Sequence, residues 1–169
     1  QVELGAAHVL EIFSPKMFTA AAPGLGLRPG FAVDLCEAKP YGDHAGEYWD
    51  LAKDEDADEL EAMVDFEKPV LLTGSPPCDP FSQLLRISEA RADPEKRRRA
   101  RELGVRHLHT AVKFYRKQRG EGRYFLHEQP AGASSWEDPE VQAPQRLGVF
   151  TVRGPMCRWG MEFHIPGRE

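Results

Sequence analysis

Short apolar runs, each stopped abruptly and separated by stretches with helical spacing, constrain this chain more than any other feature. The runs are His8–Phe13, Phe31–Leu35, Tyr48–Leu51, Val70–Thr73, Tyr124–Gln129 and Val149–Arg153. Between them, Met17–Leu27 is rich in alanine and predicts a short helix, closed by Gly24, Gly26, Pro29 and Gly30. Residues 36–47 are polar and read as a loop. Asp54–Phe66 is acidic with Leu60, Met63 and Val64 at helical spacing. Asp93-Pro94 is a strong helix start, an N-cap residue followed by proline at the first helical position. That helix is predicted to run to about Gln118, with Leu103, His107, Ala111, Phe114 and Tyr115 on one face. Ser135–Leu147 is read as helical around Val141, Gln83–Ala92 as a loop or a short helix, and the stretch after Gly154 is unassigned. Strands alternating with helices predict βαβ units and an α/β fold with a mostly parallel central sheet flanked by helices.

In such a fold the strand C-termini lie along one edge, where ligands bind. Glu11, Asp34, Asp50, Cys78 and Glu128 all fall at or just after predicted strand ends. One acid at a strand end means little, but five acidic or reactive groups in a row predict a site. The sharpest stretch is Val70-Leu71-Leu72-Thr73-Gly74-Ser75-Pro76-Pro77-Cys78. Gly74 and the two prolines stop a buried strand and make a rigid turn that ends in a thiol. Such a turn presents a nucleophile or simply holds an inert cysteine.

At 169 residues the chain is predicted to be one domain with a full core. Its start at Gln1 leads us to expect a piece of a longer protein. Cys36, Cys78 and Cys157 are odd in number and far apart, which argues against a disulfide framework or a zinc site and for a reducing, intracellular setting. No run has the length of a membrane span, so a membrane partner is not expected. The net charge of −5 hides an asymmetry: residues 86–123 carry 13 Lys/Arg against 5 Asp/Glu. A basic segment in an acidic protein is either a polyanion contact or a solvated helix face.

Gly74-Ser75-Pro76-Pro77-Cys78-Asp79-Pro80-Phe81-Ser82 resembles the catalytic loop of DNA (cytosine-5-)-methyltransferases, G-x-P-P-C-Q-x-F-S, with Asp79 in place of glutamine. Some 50 residues on, Glu128-Gln129-Pro130 resembles the family's E-N-V motif, keeping the acid. Glu11-Ile12-Phe13 with Gly24-Leu25 resembles its opening D-L-F-x-G-x-G…G-L motif, with Ser14-Pro15 where the glycine-rich turn is usual. The wording also resembles divergent methyltransferase-like domains of phages and mobile elements. The resemblance covers roughly residues 8–130 and leaves no room for a target-recognition domain.

The resemblance implies a Rossmann-like fold that binds S-adenosylmethionine and methylates carbon 5 of a cytosine flipped out of duplex DNA. Cys78 would add to carbon 6, its pKa lowered by a helix N-terminus or an arginine, and Glu128, with its pKa raised by burial, would act as acid at ring nitrogen 3. Pro77, Ser82 and Arg158 would support the catalytic loop and the glutamate. Glu11, Phe13, Ser14, Gly24, Asp34, Asp50, Ser75 and Pro76 would form the donor site, Phe13 stacking on adenine and Asp34, or the competing Glu37, taking the ribose. Arg86, Arg91, Arg97, Arg98, Arg99 and Arg101 would grip phosphates. In a eukaryote the setting would be the nucleus. Two alternatives stand beside this: a catalytically silent module that binds nucleic acid or a partner protein, and the same chemistry on RNA.

Overall fold

The computed structural model describes residues 7–82, 93–145 and 148–155. Gln83–Ala92 and the stretch from Met156, with Arg86, Arg91, Cys157 and Arg158, lie outside the described residues. Four strands, β1 (Val9–Ile12), β2 (Pro29–Val33), β3 (Leu71–Gly74) and β4 (Tyr124–His127), form one sheet in the order β2-β1-β3-β4. All three pairings are parallel, and β3 runs in unbroken register from Leu71↔Tyr124 to Gly74↔His127 against β4. The fold is therefore α/β with a parallel sheet flanked by helices, compatible with a Rossmann-like arrangement.

β1 is buried at all four positions, as a strand covered on both faces must be. That is why its sequence, Val-Leu-Glu-Ile, is nearly continuous in apolar residues rather than alternating. Leu10, Ile12, Val33 and Leu72 meet Leu60 and Val64 of α2 (Asp54–Glu67) in one core. The long helix α3 (Pro94–Gly120) adds Leu108, Ala111, Val112, Phe114 and Tyr115. Asp93 caps α3 as expected, its Oδ1 accepting from the Glu95 N–H at 3.0 Å. The buried stripe is rotated from the predicted one: Gly104 and Leu108 face inward while Leu103 is 42% exposed.

Gln118, fully buried, closes the far end of α3. Its Nε2 donates to the carbonyls of Pro69, two residues before β3, at 2.9 Å and of Tyr124, the first residue of β4, at 3.0 Å. Acids in the first turn of α2 favour its positive end. Along the α2–α3 seam Lys113 pairs with Glu61 and Lys117 with Asp65, both at 2.6 Å, and Arg106 pairs with Asp54. Such exposed pairs fix register more than they add stability.

Two predicted strands are absent. Tyr48–Leu51 makes only an isolated antiparallel bridge, Ala38↔Tyr48. Its alternation arises because Trp49 and Leu51 plug the core from a loop while Tyr48 stays outside. Val149–Arg153 pairs with nothing among the described residues, and Phe150 and Val152 are 94% and 88% exposed. β-propensity without a neighbouring strand does not make a strand. The other elements fall near their predicted places, with Met17–Leu27 split into α1 (Phe18–Ala21) and a 3₁₀ turn. Ser135–Leu147 becomes a 3₁₀ turn at Ser134–Glu137 and α4 (Pro139–Gln145). No helix among the described residues is long and apolar enough to cross a membrane.

Candidate active site

The chain leaves β1 to one side to build β2, then crosses back to build β3 on the other. The carboxyl ends of β1 and β3 therefore form the switch point, where a parallel sheet opens a crevice. A narrow cleft of about 70 Å³ lies there. Its walls include Phe13 after β1, Asp34 after β2, Trp49 and Asp50 from the following loop, Pro77 after β3, and His107 from α3. Three predicted donor-site residues and one catalytic-loop residue thus share a cavity. Phe13 takes a left-handed backbone, φ 54°, rare for a bulky residue and characteristic of functional turns. Asp34 Oδ1 accepts from the Cys36 N–H at 3.2 Å, and Asp50 Oδ1 from the Ala52 N–H at 3.1 Å. Of the two candidate ribose acids, Asp34 lines the cleft. Glu37 is engaged by Lys16 through both its N–H at 3.2 Å and its Nζ at 3.3 Å.

Other donor-site predictions need correcting. Glu11 is fully buried and is not among the cleft-lining residues. Its carboxylate accepts from the N–H groups of Met17, Phe18 and Thr19 at 3.0–3.1 Å and from the hydroxyls of Thr19 and Ser14. It thereby holds the turn that lacks glycines, and Ser14 is spent on the same carboxylate. Gly24 sits exposed in the 3₁₀ turn and does not line the cleft. Ser75 serves the sheet, its N–H donating to the Ile12 carbonyl at 3.2 Å.

The cysteine loop is held from three sides. Gln129, at the position that departs from the E-N-V pattern, is buried. Its Nε2 donates to the Pro76 carbonyl, and its Oε1 accepts from Ser135 Oγ at 3.2 Å. Gly104 of α3 lets Pro80 approach so closely that a Cβ there would lie 2.7 Å from Pro80 Cγ. Arg101 donates to the Pro80 carbonyl at 3.4 Å and sits over the Phe81 ring. Ser82 closes the 3₁₀ turn Asp79–Phe81, its N–H donating to the Asp79 carbonyl at 3.2 Å. A larger groove of about 510 Å³, between the end of α3 and α4, contains none of the predicted site residues.

Cys78 is half-buried at the head of this turn. Burial and then the Asp79 carboxylate push its thiol above the ordinary cysteine range; its own backbone N–H opposes them, and Glu128 adds the least. Among the described residues no helix end or arginine lowers it, and Arg101 is committed to Pro80 and Phe81. Glu128 is exposed rather than buried as expected. Its N–H donates to the Gly74 carbonyl at 3.0 Å, which brings it beside the cysteine loop. The Asp79→Gln variant should therefore react with iodoacetamide about two- to five-fold faster than wild type at pH 8, as expected for losing one nearby charge. An unchanged alkylation rate would show that Asp79 does not govern the thiol.

The basic helix is largely neutralised. Arg98 pairs with Glu95 and Glu102, Arg99 with Glu95, and Arg116 with Glu140. Lys96 and Arg97 carry no ion pair among the described residues. His107 was legible in the sequence only as part of a helix face, and nothing local marked it as a cleft residue. Compared with known proteins, the chain matches no family model, no curated protein and no solved structure.

Proposed function

We propose that this chain is a cytosine-5 methyltransferase catalytic domain that uses S-adenosylmethionine and acts on DNA. One observation carries the reading: the cleft at the sheet's switch point is shared by Phe13, Asp34 and Asp50 on the donor side and by Pro77, adjacent to Cys78, on the other. A methyl donor bound against Phe13, with its ribose hydroxyls on Asp34, would bring its sulfonium end toward the cysteine loop. Cys78 supplies the electron pair that adds to cytosine carbon 6, making carbon 5 an enamine carbon able to take the methyl group. Carbon 5 then loses its proton, and elimination releases Cys78. Glu128 protonates ring nitrogen 3 as the adduct forms and takes the proton back on elimination. Because the thiol is held in its neutral form, a base must take its proton when the target base arrives. Lys96 and Arg97, which carry no ion pair among the described residues, would be the cations left to meet phosphate.

A covalent trap tests this. The protein is incubated with tritiated S-adenosylmethionine and a DNA duplex containing 5-fluorocytosine, in which fluorine blocks elimination. A denaturant-resistant, tritiated adduct is expected with wild type and none with Cys78→Ser. An adduct that survives Cys78→Ser would overturn the mechanism. A parallel RNA substrate decides between the two nucleic acids. The raised Cys78 pKa favours one second reading, a silent module that binds without transferring. Donor binding without any adduct would support that reading.

A further inference from the structure

We propose that His107 reads the hydrogen-bonding edge of the planar ring held against Phe13, and so sets which purine nucleoside the cleft accepts. The inference rests on the reading of this cleft as a nucleoside-bearing donor site. The imidazole of His107 lies 5.2 Å from the Phe13 ring, tilted by 45°, on the cleft wall that also holds Asp34 and Asp50. Its Nε2 is buried and has no hydrogen-bond partner among the described residues. On the same wall Trp49 is 1% exposed, and its Nε1 is likewise buried and without a partner among them. A buried polar atom without a partner is costly and uncommon in a folded protein. Two such residues line this one cleft, and we read them as groups kept for a ligand.

Phe13 offers an aromatic face, the two aspartates offer acceptors for hydroxyls or amino groups, and His107 offers a ring nitrogen. Burial lowers the pKa of His107 and Arg106 lowers it further, while the carboxylate of Asp50 draws it partly back. The ring is therefore neutral near pH 7, with one nitrogen to donate and one to accept. A neutral imidazole discriminates ring edges by hydrogen bonding rather than by charge. A histidine serving only as core would be replaced by leucine without effect on binding.

Calorimetry with two probes, S-adenosylhomocysteine and S-inosylhomocysteine, tests the proposal, since they differ only on the ring edge: an amino group beside an acceptor N1 in the first, an oxo group beside an N1–H in the second. Wild type should prefer one of them by about ten-fold or more, the range one buried hydrogen bond supplies. In His107→Leu that preference should fall to within about two-fold, with the better probe bound about ten-fold more weakly. The ligand-free His107→Leu protein should melt no lower than wild type, because an unpaired buried nitrogen has been removed. His107→Phe provides a second variant that keeps an aromatic ring against Phe13. Equal discrimination in wild type and both variants would overturn the inference while leaving the donor site standing. Failure of folded wild type to bind either probe would instead overturn the donor-site reading itself.

Discussion

Replacing Lys39 with methionine is expected to lower stability by about 3 kcal/mol, because it removes one partner of a buried charge pair. The Lys39 side chain is 3% exposed, and its Nζ lies 2.7 Å from both Asp56 and Glu59 and 5.0 Å from the centre of the Trp49 ring. Burial alone would push the Lys39 ammonium down, but the two carboxylates hold it above its ordinary range. Burial would likewise push the Asp56 carboxyl up, but Lys39 and the Asp50 N–H hold it below its ordinary range. Both shifts favour the charged forms, so the pair is net attractive. Methionine fills much of the volume and leaves Asp56 buried without its cation. Adding Asp56→Asn should recover about half the loss, since it removes the stranded charge and keeps an oxygen for the Asp50 N–H.

The pH dependence has a defined sign. A carboxyl whose folded pKa lies below its unfolded value stabilises the fold above about pH 4, and that contribution is lost as pH falls through the folded pKa. In Lys39→Met the acid is destabilised instead, so the difference between variant and wild type is greatest near neutrality and narrows below about pH 4. Denaturant midpoints across pH 3–8 measure this, and a difference that stays constant across the range would refute it. The effect reaches the cleft, because Asp56 Oδ2 accepts from the Asp50 N–H at 2.6 Å. Loosening Asp56 frees Asp50, and S-adenosylhomocysteine should bind more weakly even at temperatures where the variant stays folded.

What could be read from the sequence follows from what each feature depends on. β1 and β3 were legible because a strand buried on both faces needs a continuous apolar run. The start of α3 was legible because Asp93 and Pro94 act locally. That Phe13, Asp34, Asp50 and Pro77 share one cleft was legible because a parallel sheet gathers its strand ends whatever the details of packing. Glu11 holds the turn after β1, and a strand-end acid looks the same in sequence whether it faces a ligand or caps a turn. Tyr48–Leu51 misled because a loop can bury alternate residues as a strand does. Gln129 looked like a loss against the E-N-V pattern, yet its amide bonds both Pro76 and Ser135. The place of His107 on the cleft depends on how α3 crosses the sheet, which no local pattern encodes.

Gly74 ends β3 and begins the cysteine loop, and an alanine there is expected to cost roughly 3 kcal/mol. Its φ is not the reason. A Cβ at this position would lie 2.1 Å from Tyr115 Oη, 3.0 Å from Cζ and 3.1 Å from Ile12 Cγ1. Neither neighbour can retreat. Tyr115 is 2% exposed, its ring stacks on Phe125 at 4.8 Å, and its hydroxyl meets His127 Nδ1 at 3.1 Å. Ile12 is fully buried in the central strand that pairs with β3. The strain must pass into the backbone between Gly74 and Cys78, so Cys78 should become more open and alkylate faster in Gly74→Ala.

Tyr115→Phe alone should cost about 1 kcal/mol or more, because it leaves His127 Nδ1 without its partner. Combined with Gly74→Ala it should be less damaging than the sum of the two by 1 kcal/mol or more, since the hydroxyl is the atom that alanine meets first. The ring carbon at 3.0 Å remains, so recovery is partial. A Gly74→Ala protein within about 0.5 kcal/mol of wild type, or two substitutions that simply add, would mean that Tyr115 does not set the floor of the cysteine loop. In that case glycine at this position would need another cause, and the packing of α3 beneath the loop would no longer explain how Cys78 is presented.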